Sequence, residues 1–404
     1  MDSVKIGKYL SVLRKYYRIT QDELAGNLNV TRQAISKWET GATVPDVEQL
    51  LKLSEIYGVS INEILRADLE TMKFQKEIVV GTGRAAKNIT VIGCGRWGTF
   101  IAWYLHKIGH RVSLYGREGS ERMQTLMKTR SNGYLQLPEA LSLTTDLQEA
   151  KQADYILISV PAQNLQELVD QLAAFDVTGK TVILCMKGIE IATGRRLSQI
   201  VSDGLPNNDV AVWLGPGHVQ EFYRGIPNCM VIDSHKELIK DELIRNLSSD
   251  LIRFYYGTDM VGNEVGAAAK NVMGIAAGML EGLDLSSLKG ALMARGTHEI
   301  AKLIVAMGGK PGTVYGLCHL GDYEATLFSP HSHNLSFGKS VVRKEPYEKL
   351  AEGYYTVKAM RNLGRAYGVE LPICEAVYSI LYEQTEPKEV LKRLFTRSLR
   401  NEFA

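Results

Sequence analysis

Over residues 1–66, apolar positions recur at helical spacing between short polar interruptions. Val4, Ile6, Tyr9, Leu10, Leu13 and Tyr17 form a first stripe. Thr20 follows as an N-cap with Glu23 three residues on, the pattern of a reciprocal capping box. Leu24, Ala25 and Leu28 continue that second helix, and Asn29-Val30 turns the chain. Thr31 caps a third helix from Arg32 to Glu39, which Gly41 ends. Asp46 opens a fourth, with Leu50, Leu51, Leu53 and Ile56 apolar, and Ser60 begins a short fifth. Residues 67–87 have no clean period and, with Gly81-Thr82-Gly83, read as a flexible linker.

From residue 88 the pattern changes to short, nearly continuous apolar runs, the mark of strands buried on both faces. They are Ile89 to Ile92, Arg111 to Tyr115, Tyr155 to Val160, Thr181 to Met186 and Val210 to Leu214. A helical segment, Thr99 to Ile108, separates the first two. The alternation predicts an α/β domain with a doubly wound parallel sheet.

Composition narrows the class. The chain has 404 residues, enough for two or three domains of about 150 residues. With 45% hydrophobic and 23% charged residues it excludes disordered and fibrous classes. The formal charge is +2, from 47 basic and 45 acidic residues, so nucleic-acid affinity would need a local patch. The most apolar stretch, Val272 to Leu280, is far shorter than the about 18 residues of a membrane span. Met1 to Tyr17 carries no apolar signal core. The five cysteines (Cys94, Cys185, Cys229, Cys318, Cys374) are odd in number and form no Cys-x-x-Cys pair, and the eight histidines lack metal-ligand spacing. A cytoplasmic protein with no membrane partner and no metal site is expected.

Two short helices joined by a tight turn form a helix-turn-helix, whose second helix enters the DNA major groove. Ala34, Ile35 and Trp38 should face the core, leaving Arg32, Gln33, Ser36 and Lys37 on the opposite face. These are residue types that reach base edges and phosphates. Gln21, at a helix N-terminus, suits a phosphate contact. Residues 1–39 hold seven Lys/Arg against four acids, a modest excess that also suits a helical protein-protein module. The stretches Thr20 to Ala25 and Val30 to Gly41, with Pro45-Asp46 beyond them, resemble the Cro/xenobiotic-response-element family of bacterial DNA-binding domains. That resemblance implies duplex DNA as a partner and a homodimer.

In the α/β part, Gly93-Cys94-Gly95-Arg96-Trp97-Gly98 lies between a strand and a helix, the context that makes Gly-x-Gly-x-x-Gly a dinucleotide site of the Rossmann fold. Gly93 allows the tight turn, Gly95 the approach of a pyrophosphate, and Gly98 close helix-strand packing. After the second strand, Arg117 could hold an adenosine 2′-phosphate and Glu118 a ribose hydroxyl, so NAD and NADP both stay open. Lys187, Gly215 and the Val160-Pro161 turn follow strand ends and should line the cleft.

From Ile89 onward the order of motifs resembles the bacterial NAD(P)-dependent glycerol-3-phosphate dehydrogenase family. The matching pieces run from the glycine loop through Gly116-Arg117, Ser159-Val160-Pro161, Lys187-Gly188 and Gly215-Pro216 to Ala269-Lys270-Asn271, Gly321-Asp322, Ser329-Pro330 and Glu352-Gly353. The resemblance implies a Rossmann domain over 88–255, a mostly helical domain over 256–404, and hydride transfer between NAD(P)H and dihydroxyacetone phosphate. It makes Lys270 the acid/base, Lys187 a cation near substrate and nicotinamide, and Asn271 and Asp322 groups that bind hydroxyls and orient Lys270. It implies cofactor contacts from Gly93, Gly95, Arg96, Trp97, Gly98, Arg117, Pro161, Lys187, Val219 and Glu352. Lys187, Gly215, Thr326, Ser332, His333 and Asn334 would bind substrate, with Lys339 near.

The sequence departs from the family in two places. His333 stands where the phosphate loop has an arginine; an imidazolium there would pair with a bound phosphate as pH falls. Gly217-His218-Val219 stands where the family has a serine, an aromatic and alanine. Two functions remain open: a dehydrogenase carrying a DNA-binding domain, or a transcription regulator whose dehydrogenase-like domain senses nicotinamide redox state or a sugar phosphate.

Overall fold

A computed structural model describes residues 2–16, 19–57, 59–67, 86–329 and 331–395. Most of the expected linker (68–85), Tyr17 and Pro330 lie outside the described residues. The chain divides into two compact units, Met1–Val79 and Val80–Ala404.

Among its described residues the first unit holds five helices: α1 (Ser3–Tyr16), α2 (Gln21–Leu28), α3 (Arg32–Glu39), α4 (Val47–Tyr57) and α5 (Ile61–Arg66). The expected caps form. Thr20 and Glu23 make a reciprocal capping box, Thr31 accepts from the Ala34 N–H, and Ser60 pairs with Glu63 in a second box. Asn29 takes the left-handed conformation (φ 53°) that turns α2 into α3. Ile6, Tyr9, Leu10, Leu13, Leu24, Leu28, Ile35, Trp38, Leu53, Tyr57 and Ile64 make the core. Two apolar positions expected inside are not: Val4 is 52% and Leu51 50% exposed. Each lies two residues from a core position, Ile6 or Leu53, and about 200° of helical turn carries it to the outer face.

The second unit contains one sheet of eight strands: β1 (Asn88–Ile92), β2 (Arg111–Tyr115), β3 (Ser142–Thr144), β4 (Tyr155–Ile158), β5 (Thr181–Leu184), β6 (Asp209–Leu214), β7 (Asn228–Ser234) and β8 (Ile252–Tyr256). The order is β3-β2-β1-β4-β5-β6-β7-β8. All neighbours are parallel except β6 and β7. Between strands run α6 (Arg96–Lys107), α7 (Glu121–Thr129), α8 (Leu165–Ala173), α9 (Leu197–Gly204), α10 (Val219–Tyr223) and α11 (Glu237–Leu247). β1 lies between β2 and β4, so the strand order reverses there and opens a crevice at the strand C-termini.

β8 ends at Tyr256, one residue past the boundary read from the sequence, and helices follow. They are α12 (Met260–Gly282), α13 (Lys289–Ala306), α14 (His333–Arg343), α15 (Glu352–Ala366), α16 (Pro372–Tyr382) and α17 (Pro387–Phe395). All but three of the 23 residues of α12 are buried, which makes it the axis of this half. It is tied to the α/β half by polar groups inside the core. Glu264 pairs with Arg196 and accepts from the Ser198 N–H at 2.9 Å; Asn263 donates to Asp233 at 2.8 Å. No described helix is long and apolar enough to cross a membrane.

Candidate active site

The glycine loop leaves β1 with Gly93 at φ 117°, and Gly95 caps α6. A Cβ on Gly93 would meet the Ser159 carbonyl at 2.2 Å, and one on Gly98 would meet the Gly93 carbonyl at 1.9 Å. Glycine is therefore required at both positions, and the first turn of α6 presents its free N–H groups at the crevice. This is a cradle for a pyrophosphate, and the residues present fit a dinucleotide. Arg117 and Glu118 are exposed just past β2. The sequence reading missed Arg122 on α7, whose Nη1 would lie 3.8 Å from a Cβ on Gly95. Its only signal was a second arginine in the helix after β2. Trp97 packs on Phe100 and Phe222, 5.2 and 6.3 Å between ring centroids. Pro161 is exposed beyond β4 and Val219 is buried at the start of α10. The half-buried Glu352 carboxyl opens α15, and burial raises its pKa.

Lys187, just beyond β5, and Lys270, in the middle of α12, meet on one carboxylate. Asp322 Oδ2 accepts from Lys187 Nζ at 2.6 Å and from Lys270 Nζ at 2.8 Å, and the acid side chain is 1% exposed. Lys187 also donates to the Gly215 carbonyl at 2.8 Å. Lys270 donates to Thr326 Oγ1 at 2.7 Å, and that hydroxyl donates to the Asp322 carbonyl at 2.7 Å. Burial pulls the Lys270 pKa down to about 8; Asp322 opposes the shift and Lys187 adds to it.

Beneath this cluster sits a brace that the sequence reading missed. His319 Nδ1 donates to the Gly266 carbonyl at 2.8 Å, and Tyr323 OH donates to His319 Nε2 at 2.8 Å. A carbonyl can only accept, which fixes the tautomer. Burial pushes His319 down to about 4, so it stays neutral and holds the Asp322 turn against α12 one helical turn from Lys270. Residues Glu324–Phe328 continue as a single π-helical turn, a local irregularity of the kind found at functional sites.

Several expected substrate donors are already engaged. Thr326 serves Lys270 and Asp322. Asn334 donates to Asn271 Oδ1 at 3.1 Å and accepts from the Gly353 N–H at 2.9 Å, joining α12, α14 and α15. Lys339 pairs with Glu281 at 2.9 Å. Ser332 caps α14, accepting from the Leu335 N–H and keeping its own proton. His333 Nδ1 lies 3.0 Å from Tyr347 OH. Its pKa moves down, through burial first and then the charges of Arg96 and Lys349, so the imidazolium expected there is disfavoured. His218, in the second departure, has a fully buried Nε2 without a hydrogen-bond partner among the described residues and a ring centroid 5.7 Å from that of His331. Burial lowers its pKa, and it feels the charges of Lys270 and Asp322.

On the first unit, Arg32, Gln33 and Lys37 are exposed on α3 with Ser36 half-buried beside them, while Ile35 and Trp38 face inward. Gln21 opens α2, where its amide donates one N–H to Glu39 at 2.9 Å, and Glu39 also binds Arg14 at 2.9 Å.

Comparison with known proteins agrees with this architecture. Residues 88–239 match the family described as NAD-dependent glycerol-3-phosphate dehydrogenase N-terminus, and residues 259–392 match its C-terminus. Residues 13–64 match a helix-turn-helix family. The chain is 35% identical over 321 residues to glycerol-3-phosphate dehydrogenase [NAD(P)+] of Bradyrhizobium sp., covering 78% of this chain and 98% of the relative. It is 35% identical over 332 residues to an enzyme of the same name from Salinibacter ruber, covering 78% and 96%. Among solved structures, the glycerol-3-phosphate dehydrogenase of Coxiella burnetii superposes with a TM-score of 0.72 at 28% identity, covering 77% of this chain and 99% of that one. That of Plasmodium falciparum shares the fold at 18% identity, with a TM-score of 0.69 and 79% and 97% coverage.

Proposed function

Because the chain belongs to the NAD-dependent glycerol-3-phosphate dehydrogenase family, we propose that it interconverts dihydroxyacetone phosphate and glycerol 3-phosphate at the Lys187–Asp322–Lys270 cluster. The observation that carries this reading is the buried Lys270 ammonium on Asp322, its pKa lowered to about 8. When bound, NAD(P)H supplies the hydride for C2 of the ketone. The oxygen at C2 then needs a proton, and the Lys270 ammonium supplies it; in the reverse direction neutral Lys270 takes that proton back. Asp322 holds the two lysines at one point, and Lys187 adds positive charge where the oxygen becomes anionic. Asn271, next to Lys270, accepts from Asn334 and would bind a substrate hydroxyl. The glycine loop, Arg117, Arg122 and Glu352 would hold the cofactor. Purified protein should oxidise NADH or NADPH when given dihydroxyacetone phosphate; absence of oxidation with either cofactor would overturn the reading.

The exposed Arg117 and Arg122 favour a 2′-phosphate. Arg117→Ser/Arg122→Ser should raise the KM for NADPH about 100-fold while changing that for NADH about two-fold, since the two charge-assisted contacts contribute about 1.5 kcal/mol each. Equal effects on the two cofactors would place the arginines elsewhere.

The first unit gives the same chain a DNA-binding domain of the helix-turn-helix type. Its reading face is Arg32, Gln33, Ser36 and Lys37, used by a cytoplasmic homodimer on duplex DNA. Arg32→Ala/Lys37→Ala should abolish site-specific binding and reduce the slope of log affinity against log salt by about 2 per monomer. No enrichment of any duplex from a random pool at low salt would argue for a protein-binding module.

A further inference from the structure

Granted Lys270 as the proton donor, on which this step depends, we propose that Tyr323 and His319 are positioning residues for the reaction. They form a buried pair that sets both partners of the Lys270 ammonium against α12.

The two side chains bonded to Lys270 Nζ, Asp322 and Thr326, lie four residues apart on one short segment. That segment is a 3₁₀ turn, Leu320–Asp322, running into the π-helical turn Glu324–Phe328, and Tyr323 joins the two. Turns this short do not hold their shape alone. Among the described residues, and apart from the bonds of Lys270 itself, one hydrogen bond ties segment 319–328 to α12. It runs from His319 Nδ1 to the Gly266 carbonyl, 2.8 Å. Helical geometry makes that carbonyl the acceptor of the Lys270 N–H as well, since the two residues are one turn apart. His319 therefore meets the backbone that carries the reacting lysine. A Cβ on Gly266 would come within 3.0 Å of the His319 Cβ, so glycine there lets the ring approach. On its other side the His319 carbonyl accepts from the Asp322 N–H at 3.0 Å. One residue thus bonds both to the helix of Lys270 and to the turn of Asp322.

Tyr323 governs which proton His319 carries. Both residues are fully buried, with 4.8 Å between ring centroids. The Gly266 carbonyl takes the proton on Nδ1, so Nε2 is an acceptor, and Tyr323 OH, 2.8 Å away, is its donor. Without the hydroxyl, Nε2 would be a buried acceptor with no partner. In the other tautomer a lone pair on Nδ1 would face the carbonyl oxygen. Neither form is satisfied, so the link to α12 weakens. Protonation does not help, because burial pushes His319 down to about 4. Tyr323 is itself backed by α13: its hydroxyl would lie 3.4 Å from a Cβ on Gly296. Lys289, at the start of α13, donates to the Leu327 carbonyl at 3.0 Å and holds the far end of the π-helical turn. The pair thus fixes Asp322 before Tyr323 and Thr326 after it.

Tyr323→Phe should lower kcat for ketone reduction about 10- to 100-fold, with the KM values for dihydroxyacetone phosphate and NAD(P)H within about two-fold, because the proton donor is misplaced while binding groups stay. Its alkaline pH limb should move below about 8: burial presses the Lys270 pKa down, Asp322 holds it up, and Lys187 adds to the burial. His319→Gln keeps one donor and one acceptor, and should turn over about ten-fold faster than His319→Leu. The double variant His319→Leu/Tyr323→Phe separates position from stability. It leaves no orphaned side-chain polar atom in the pair, so its urea midpoint should recover toward wild type from the lowered midpoint of Tyr323→Phe. Its kcat and pH profile should stay impaired, because only Lys270 then bonds the segment to α12. A double variant that regains wild-type kcat and the limb at about 8 would show the pair to be packing alone and overturn the proposal. So would Tyr323→Phe with the wild-type profile, a loss confined to KM, or equal losses in His319→Gln and His319→Leu. A wild-type protein that oxidises no NAD(P)H would instead remove Lys270 as proton donor, and this role of the pair with it.

Discussion

Lys270→Ala should lower turnover by about 10²- to 10⁴-fold while leaving cofactor affinity within a few-fold. The ammonium lies 2.8 Å from Asp322 and 2.7 Å from Thr326, fixed at one point of a buried site. No other described group there combines burial, a titration near neutrality and a place beside the second lysine. The loss should fall on kcat, since the proton is needed only once charge appears on the substrate oxygen. Removing the lysine leaves Asp322 paired with Lys187 at 2.6 Å, so no buried charge is abandoned and the fold should persist. The pH profile supplies an independent check. With a pKa of about 8, Lys270 is mostly protonated at neutral pH. Ketone reduction needs the protonated form, so its rate should be level below that value and fall as pH rises through it. Alcohol oxidation needs the neutral form and should rise over the same interval. Both limbs should vanish in Lys270→Ala. Near-normal turnover, or an unchanged profile, would remove Lys270 from the reaction.

What the sequence made legible was local. Capping boxes at Thr20 and Ser60 depend on residues three apart, and both form. The glycine loop announces itself because a Cβ at Gly93 or Gly98 would collide with backbone, a constraint written in six consecutive residues. Strands with continuous apolar runs were equally plain. Three strands escaped notice, and two of them lack that signature: β3 has three residues, and β8 reads Ile-Arg-Phe-Tyr-Tyr with Arg253, Tyr255 and Tyr256 exposed. The third, β7, carries the apolar run Cys229 to Ile232 and was passed over all the same. Within the site, resemblance supplied residue identities but not partners. That Thr326 and Asn334 are engaged, that Glu39 binds Gln21, and that Tyr347 meets His333 depend on contacts 14 to 63 positions apart. No periodicity encodes such pairings.

Asp322→Asn should harm both stability and chemistry, through one cause. The carboxylate is 1% exposed and lies 2.6 Å from Lys187 and 2.8 Å from Lys270. Asparagine keeps its shape and an acceptor oxygen but removes the only negative charge bonded to either lysine in the described cluster. Two ammonium groups then share a poorly hydrated site. Breaking a buried ion pair from one side costs about 3–5 kcal/mol when the remaining charge cannot escape. Here one can, because Lys270 can lose its proton. Asp322 is the influence that holds the Lys270 pKa up against burial, so its loss should move that pKa below about 8. The reductive pH profile should shift to lower pH by about one unit or more, and turnover at neutral pH should fall because less ammonium remains. The stability deficit should be largest at acid pH, where both lysines are charged, and shrink as pH rises through the lowered pKa. There the folded protein holds fewer protons than the unfolded chain, so stability grows with pH. Urea denaturation at several pH values, with the pH-rate profile of the same variant, tests both limbs. A variant that kept the wild-type profile would show that Asp322 does not govern Lys270, and the proton donor would have to be sought elsewhere in the cleft, beginning with the unpartnered Nε2 of His218.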